Sequence, residues 1–197
     1  MSSGGEPVRC RACRSTSGQV VLDLGDQPAA DHFPLASDRG PDPRHPLALW
    51  WCADCGLAQL LTDATVPEEP RALEPRAAVR QAYDAVGELV RSGLLAPGEF
   101  REFASPHGGS WGEALRAAGF RPAQGECADV VVDVYGLMHE RDQAAALRAR
   151  AAALTEEGTL LLQFPSLAGT LRRREWNAVR HGHFAYHSVP AARRLLA

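Results

Sequence analysis

Lysine is missing from these 197 residues, so every one of the 21 basic side chains is an arginine, set against 24 acids. The formal net charge is −3 and the pI lies near 6.2. A chain of that sign lacks the positive footprint with which proteins hold phosphate backbones, so no nucleic-acid partner is expected. Long apolar runs are also missing. None would span a bilayer, and the polar stretch Met1 to Val8 has no apolar core of a signal peptide. No membrane association is expected. Cysteine is scarce, and four of the five fall into two pairs, leaving Cys127 alone. The length allows one ordinary domain plus a small module.

The two pairs organise the rest. Cys10-Arg11-Ala12-Cys13 is answered by Cys52-Ala53-Asp54-Cys55. Each C-x-x-C can place two thiolates on one side of a tight turn. Two such turns facing each other form the tetrahedral all-sulfur cage that a structural Zn2+ prefers. The competing readings are redox-active or disulfide-bonded pairs, but neither pair sits in the strand-to-helix setting of a redox C-x-x-C. Thiolate ligands stay unoxidised in a reducing compartment, so a cytoplasmic protein is expected.

In chain order, Gln19 to Leu24 reads as a strand ended by Gly25, with a turn at Asp26-Gln27-Pro28. Asp31 and His32 are given structural roles. Ser37 to Pro46 reads as loop, and Leu47 to Trp51 as the strand that delivers the second cysteine pair. Gly56 supplies the positive φ of a zinc knuckle. The module spans about residues 7–61 and has little core, so metal would carry much of its folding free energy. Residues 62–98 read as a Pro/Glu-rich linker and a packing helix from Glu74 to Arg91. Val79, Ala82, Tyr83, Val86, Leu89 and Val90 share one face of that helix.

From residue 99 to 197 strands alternate with helices, the pattern of an α/β domain with a parallel sheet. The strands are Phe100–Ala104, Asp129–Val134 and Thr159–Phe164, with the second in the middle. Helices follow at Trp111–Ala118 and Asp142–Leu154, and Gly158 makes the turn into the third strand. The expected fold class is therefore a Rossmann-like parallel sheet with three core strands, preceded by a small zinc-binding β module. The bare edges of so small a sheet invite pairing with another chain, so an oligomer through those edges is an expectation.

At this point the chain resembles the sugar C-methyltransferase family: S-adenosylmethionine (SAM)-dependent enzymes with an N-terminal zinc-binding domain. The matching stretches are the C-x-x-C pairs, Leu24-Gly25-Asp26-Gln27-Pro28, Pro46-Leu47 and Cys52 through Leu60. Glu102 through Gly108 stands where the family has its E-x-G-x-x-x-G cofactor loop, and Ala128-Asp129-Val130-Val131 where it has A-D-V-V. Arg180-His181-Gly182-His183-Phe184-Ala185-Tyr186-His187-Ser188 is similar to its Y-H-E-H-x-x-Y-Y-S catalytic segment. The resemblance implies SAM over Glu102, Ser105, His107, Gly108 and Gly109, with His181 or His183 as the general base. The substrate it implies is small, such as a nucleotide-linked sugar.

The chain also departs from that pattern. Phe103-Ala104 covers a glycine position, and Pro106-His107 is bulky where the family has small residues. Only Gly119 to Cys127 separates the loop region from the A-D-V-V strand. Two strand–helix units, one carrying the acid that binds the ribose, have no room there. The sequence stops at Ala197, within the helix expected after the histidine segment. Two functions stay open: a C-methyltransferase with a histidine base, and a non-catalytic zinc-bearing scaffold or partner subunit that has lost the cofactor site. The histidines carry three open roles as well, in catalysis or substrate binding, in plain packing, and in holding metal. His107, Tyr135, His139 and Glu140 follow the C-terminal ends of parallel strands, where α/β sites form.

Overall fold

The computed structural model describes residues 6–30, 32–38, 40–65 and 73–197. Asp31 and part of the linker lie outside them. The described residues fall into two compact units. One comprises the residues up to 65 with 138–144 and 165–197, and the other comprises 73–137 with 145–164.

The first unit is built on an antiparallel sheet. Strand β1 (Gly18–Pro28) pairs with β2 (Arg44–Cys52), which pairs with β3 (Ala58–Leu60). The alternation in β2 explains the layering. Leu47 and Leu49 join a cluster with Leu60, Val179, Phe184 and Tyr186, while Trp50 and Cys52 join Cys10, Cys55, Leu57 and Ala185. Gly18 lies opposite Cys52, where an added Cβ would fall 2.2 Å from the Trp50 indole and 2.4 Å from the Trp51 carbonyl oxygen.

Two loop expectations are corrected here. The turn placed at Asp26-Gln27-Pro28 is strand: β1 runs through it by slipping register between Asp23 and Asp26. Gly25 takes φ 66° there, and its N–H donates to the Asp23 carboxylate at 2.8 Å. This is the local device of a bulge, which a glycine signals as readily as a stop. The loop placed at Ser37 to Pro46 ends early, because β2 begins at Arg44, whose guanidinium donates to the Asp26 carbonyl.

Residues 165–197, grouped on sequence grounds with the parallel sheet, fold with the first unit. A short strand, Ala185–Tyr186, pairs antiparallel with β3 and completes the order of the sheet. Helices Leu167–Arg173 and Val189–Leu196 flank it, each capped by a serine hydroxyl, Ser166 and Ser188.

The second unit opens with helix α1 (Arg76–Arg91), which starts directly after Pro75 and ends at Gly93 with φ 73°. Its buried residues are Ala82 and Val86, packed with Leu95, Phe100, Trp111, Leu115 and Phe120. Tyr83, expected on that face, is 43% exposed. It sits one position beyond the buried stripe, at the margin where a phenol tip meets water.

The parallel sheet follows as β4 (Glu99–Ala104), helix α2 (Gly112–Ala117), β5 (Arg121–Pro122), β6 (Ala128–Val134), helix α3 (Gln143–Ala152) and β7 (Leu154–Gln163). Its order is β5-β4-β6-β7, all parallel, so the strand read as central is central and a two-residue strand is added at one edge. The third expected strand starts earlier, at Leu154. Between Ala128↔Leu154 and Val130↔Thr159 the register jumps, and the extra residues of β7 bulge out around Gly158. A Cβ on Gly158 would meet the Thr155 and Ala128 carbonyl oxygens at 3.0 and 3.1 Å.

Strand β6 is buried on both faces, as its V-V-V run implies for a central parallel strand. The price is Asp133, buried in mid-strand. It is met by the equally buried Arg150 of α3 at 2.8 Å and by the Leu137 N–H at 3.0 Å. Arg150 in turn lies over the Phe103 ring.

Candidate metal centre and histidine segment

The two cysteine turns have the same backbone construction. In the first, the Cys10 N–H donates to the Ser15 carbonyl (2.8 Å) and the Arg14 N–H to the Cys10 carbonyl (3.0 Å). In the second, the Cys52 N–H donates to Leu57 (2.9 Å) and the Gly56 N–H to Cys52 (2.9 Å). The residue after each second cysteine is left-handed, φ 79° at Gly56 as expected and φ 64° at Arg14. The first turn therefore accepts a strained non-glycine residue that the sequence did not announce.

These turns face each other. Cys10 Sγ lies 3.5 Å from Cys55 Sγ, and Cys13 Sγ lies 3.6 Å from Cys52 Sγ. All four sulfurs lie within 4.8 Å of one another, and none is in a disulfide. A tetrahedron with bonds of about 2.3 Å has edges of about 3.8 Å, so the four sulfurs stand at the spacing a zinc ion requires. Cys10, Cys52 and Cys55 are buried, while Cys13 is exposed. Burial pushes the Cys10 thiol up to about 11 and moves Cys55 in the same direction. Burial acts likewise at Cys52, but the N–H groups of Cys55 and Asp54 and the Cys13 and Cys55 thiols outweigh it and hold Cys52 below its ordinary value. The Cys10 and Cys55 thiols are thus costly to ionise without a cation, and a divalent metal supplies that charge.

The histidine segment folds beside this module, within the same unit. The Phe184 N–H donates to the Met138 carbonyl at 2.8 Å. His181 is buried, with Nε2 3.3 Å from the Pro46 carbonyl, and its ring meets that of His45 edge-on at 5.9 Å. His183 is half-buried, with Nδ1 3.2 Å from the Ala178 carbonyl and its ring against that of His139 at 4.9 Å. A carbonyl only accepts, so neutral His181 keeps Nδ1, and neutral His183 keeps Nε2, as the basic nitrogen. Burial pushes His187 down to about 4 and raises the Tyr186 phenol, whose oxygen is bracketed by the Arg180 N–H and carbonyl.

One of the two histidines expected to act as a base lines a cavity. A space of about 320 Å³ is bounded by Leu24, Gln27, Leu47, Trp176, Asn177, Arg180 and His181, among others. Nothing in the sequence pointed to Trp176 and Asn177, because a short 3-10 turn, Trp176–Ala178, places them there.

The residues assigned to SAM hold one another instead. The Glu102 carboxylate accepts from Ser110 Oγ at 2.6 Å and from the Trp111 N–H at 2.5 Å. Ser110 Oγ accepts the Gly112 N–H. Ser105 and Gly108 close a tight turn, Gly108 N–H to Ser105 carbonyl at 3.0 Å, with the His107 N–H on Ser105 Oγ at 3.2 Å. Gly108 and Gly109 are both left-handed, as a glycine turn demands. The Trp111 and Gly112 N–H groups at the start of α2 are thus taken by the chain's own side chains. Strand β5, next to β4, is two exposed residues followed by Ala123, Gln124 and Gly125, and offers no carboxylate at its end for a ribose.

Residues 10–69, less than a third of the chain, match the Methyltransf_13 family model, described as "Putative zinc binding domain". No curated protein matches the chain. The match and the four convergent cysteines together support zinc as the metal of this module, in a domain of a kind associated with methyltransferases. No helix among the described residues is long and apolar enough to cross a membrane.

Proposed function

We propose that this chain is a zinc-stabilised relative of the SAM-dependent sugar C-methyltransferases that binds a small polar metabolite in the cavity lined by His181, and that it lacks a working cofactor site of its own. The observation that carries the reading is that His181 and Trp176 wall one cavity. An indole face packs against the C–H face of a sugar ring, while Gln27, Asn177, Arg180 and the imidazole add polar groups. A volume near the low end of ligand pockets suits one sugar-sized ring better than a whole nucleotide-linked sugar. The proposed ligand is therefore the sugar portion of such a compound, or a metabolite of similar size.

The enzymatic reading has one observation in its favour: a histidine with a basic nitrogen in the wall of a cavity can deprotonate a carbon next to a ketone. The two readings separate in one set of measurements. Quenching of tryptophan fluorescence by nucleotide-linked deoxysugars should saturate in the native protein and be lost in Trp176→Ala. Calorimetry with SAM should show no micromolar binding. Saturable SAM binding with turnover that His181→Gln abolishes would replace the scaffold reading with the enzyme. Absence of any sugar-dependent quenching would overturn the cavity assignment.

A further inference from the structure

We propose that Gln59 is the positioning residue of the metal centre, a side-chain amide that stands in for a missing strand beside Cys10. The second cysteine turn is part of the sheet, because β2 leads into it and β3 leads out. The first has no such support: residues 6–10 belong to no strand. Gln59, 2% exposed in the middle of β3, fills that place. Its Oε1 accepts the Arg11 N–H at 2.7 Å, and its Nε2 donates to the Arg9 carbonyl at 2.9 Å.

In a parallel β-pair, one residue bonds to the residues before and after its partner, its N–H to the carbonyl of the one before and its carbonyl to the N–H of the one after. The Gln59 amide reproduces that pattern around Cys10. The Arg11 carbonyl is held from another direction by the Gln143 N–H at 3.1 Å. The backbone on both sides of Cys10 is thereby fixed, and the Cys10 sulfur is set against Cys55 at 3.5 Å. A side-chain amide suits this place because it carries a donor and an acceptor side by side, one for the Arg9 carbonyl and one for the Arg11 N–H. Loss of either half leaves a backbone group without its partner. Outer groups that orient metal ligands typically govern 10–100-fold in metal affinity.

The test uses the full chain and two metals, Zn2+ competed by a chromophoric chelator and Co2+ read by its visible ligand-field bands. Gln59→Met, of similar length without the amide, should weaken Zn2+ binding by about 10–100-fold and alter the Co2+ bands. Gln59→Glu, which keeps the acceptor for Arg11 and loses the donor to Arg9, should fall between it and the native protein. It also serves if the methionine variant does not fold. Leu49→Ala weakens the same sheet through the opposite face of β2 and should leave the Co2+ bands as they are. Gln59 variants with native affinity and native bands, or a Leu49→Ala protein that shifts them equally, would overturn the proposal. A native protein that takes up neither metal would instead overturn the metal centre itself.

Discussion

Arg11, inside the first cysteine pair, places its guanidinium 5.2 Å from the ring centroid of Phe184, in the middle of the histidine segment. A second guanidinium, Arg141, lies 4.8 Å from the same ring, and both arginines pair with Asp63. Phe184 is buried among Leu47, Leu49, Leu60 and Tyr186. The cysteine turn and the histidine segment, 173 positions apart between these two residues (184 − 11), thus share one aromatic contact. Phe184→Ala should destabilise the first unit by about 3–5 kcal/mol through the lost core volume. A further contribution of about 0.5–1 kcal/mol comes from the cation–π contacts. Phe184→Leu should restore most of the first part and none of the second. Denaturant midpoints of the three proteins check this.

The metal makes a second prediction. Purified protein should contain one zinc per chain, and Cys52→Ser should lose it. Ligation requires thiolates, and burial holds the Cys10 and Cys55 thiols protonated in the metal-free protein. Zinc uptake must therefore release protons, and zinc affinity should fall as the pH is lowered. Proton release on titration in a weakly buffered solution, together with chelator competition at several pH values, measures both. A zinc-free protein with an unchanged melting temperature would remove the structural role of the metal.

His187 gives a prediction with a sign. Burial lowers its folded value from the usual 6.5 to about 4, so the unfolded chain binds a proton between those values and the folded chain does not. Stability supported by neutral His187 is full above about pH 6.5 and falls away as the pH drops towards 4. The loss is at most about 3.5 kcal/mol at about 1.4 kcal/mol per unit. His187→Gln should flatten that part of the stability–pH curve while lowering its plateau. Urea midpoints between pH 4 and 7 check it.

What the sequence reveals of this fold follows from how local its causes are. The cysteine turns, the glycine after the second of them and the V-V-V strand are each dictated within a few residues, and each stands where the pattern puts it. Helix α1 is legible for the same reason, down to Ala82 and Val86. The partnership of the histidine segment with β3 is not legible, because Ala185–Tyr186 is two residues long and carries no alternation to read. The role of Gln59 is hidden differently: its neighbours Ala58 and Leu60 are also buried, so a buried polar residue between them shows its purpose only once Arg9 and Arg11 are beside it. The Glu102 hydrogen bonds are hidden because an acid before a glycine turn reads equally well as a ligand for a cofactor and as a cap for the chain's own N–H groups.

A glycine supplies the fourth prediction. At Gly18 the backbone of β1 passes so close to Trp50 and the Trp51 carbonyl that an alanine methyl has nowhere to go. Its nearest atoms belong to a buried indole and to a strand backbone, neither of which yields cheaply. Gly18→Ala should therefore cost at least the 1–3 kcal/mol of an overpacked core, although alanine is ordinarily the better residue in a strand. Gly40→Ala, where the nearest atom is an exposed Asp38 oxygen at 3.4 Å, should be close to neutral. Thermal melts of the two variants give the comparison.

The buried pair Asp133–Arg150 makes the last prediction. Removing one partner strands the other charge in the core of the parallel sheet, which typically costs about 3–5 kcal/mol. Arg150→Met takes the guanidinium from the Asp133 carboxylate, which keeps the Leu137 N–H. Asp133→Asn removes the negative charge that faces the Arg150 guanidinium, which still meets the Ala146 carbonyl and the Phe103 ring. Changing both removes the charge problem while keeping an acceptor for Leu137, so the double variant should be more stable than the sum of the single losses, and more stable than Arg150→Met alone. The positive coupling in a double-mutant cycle of urea midpoints is the quantity to measure. Strict additivity would mean that the two charges do not depend on each other. The 2.8 Å contact would then contribute packing alone, and the buried aspartate would need another partner to explain its place in β6.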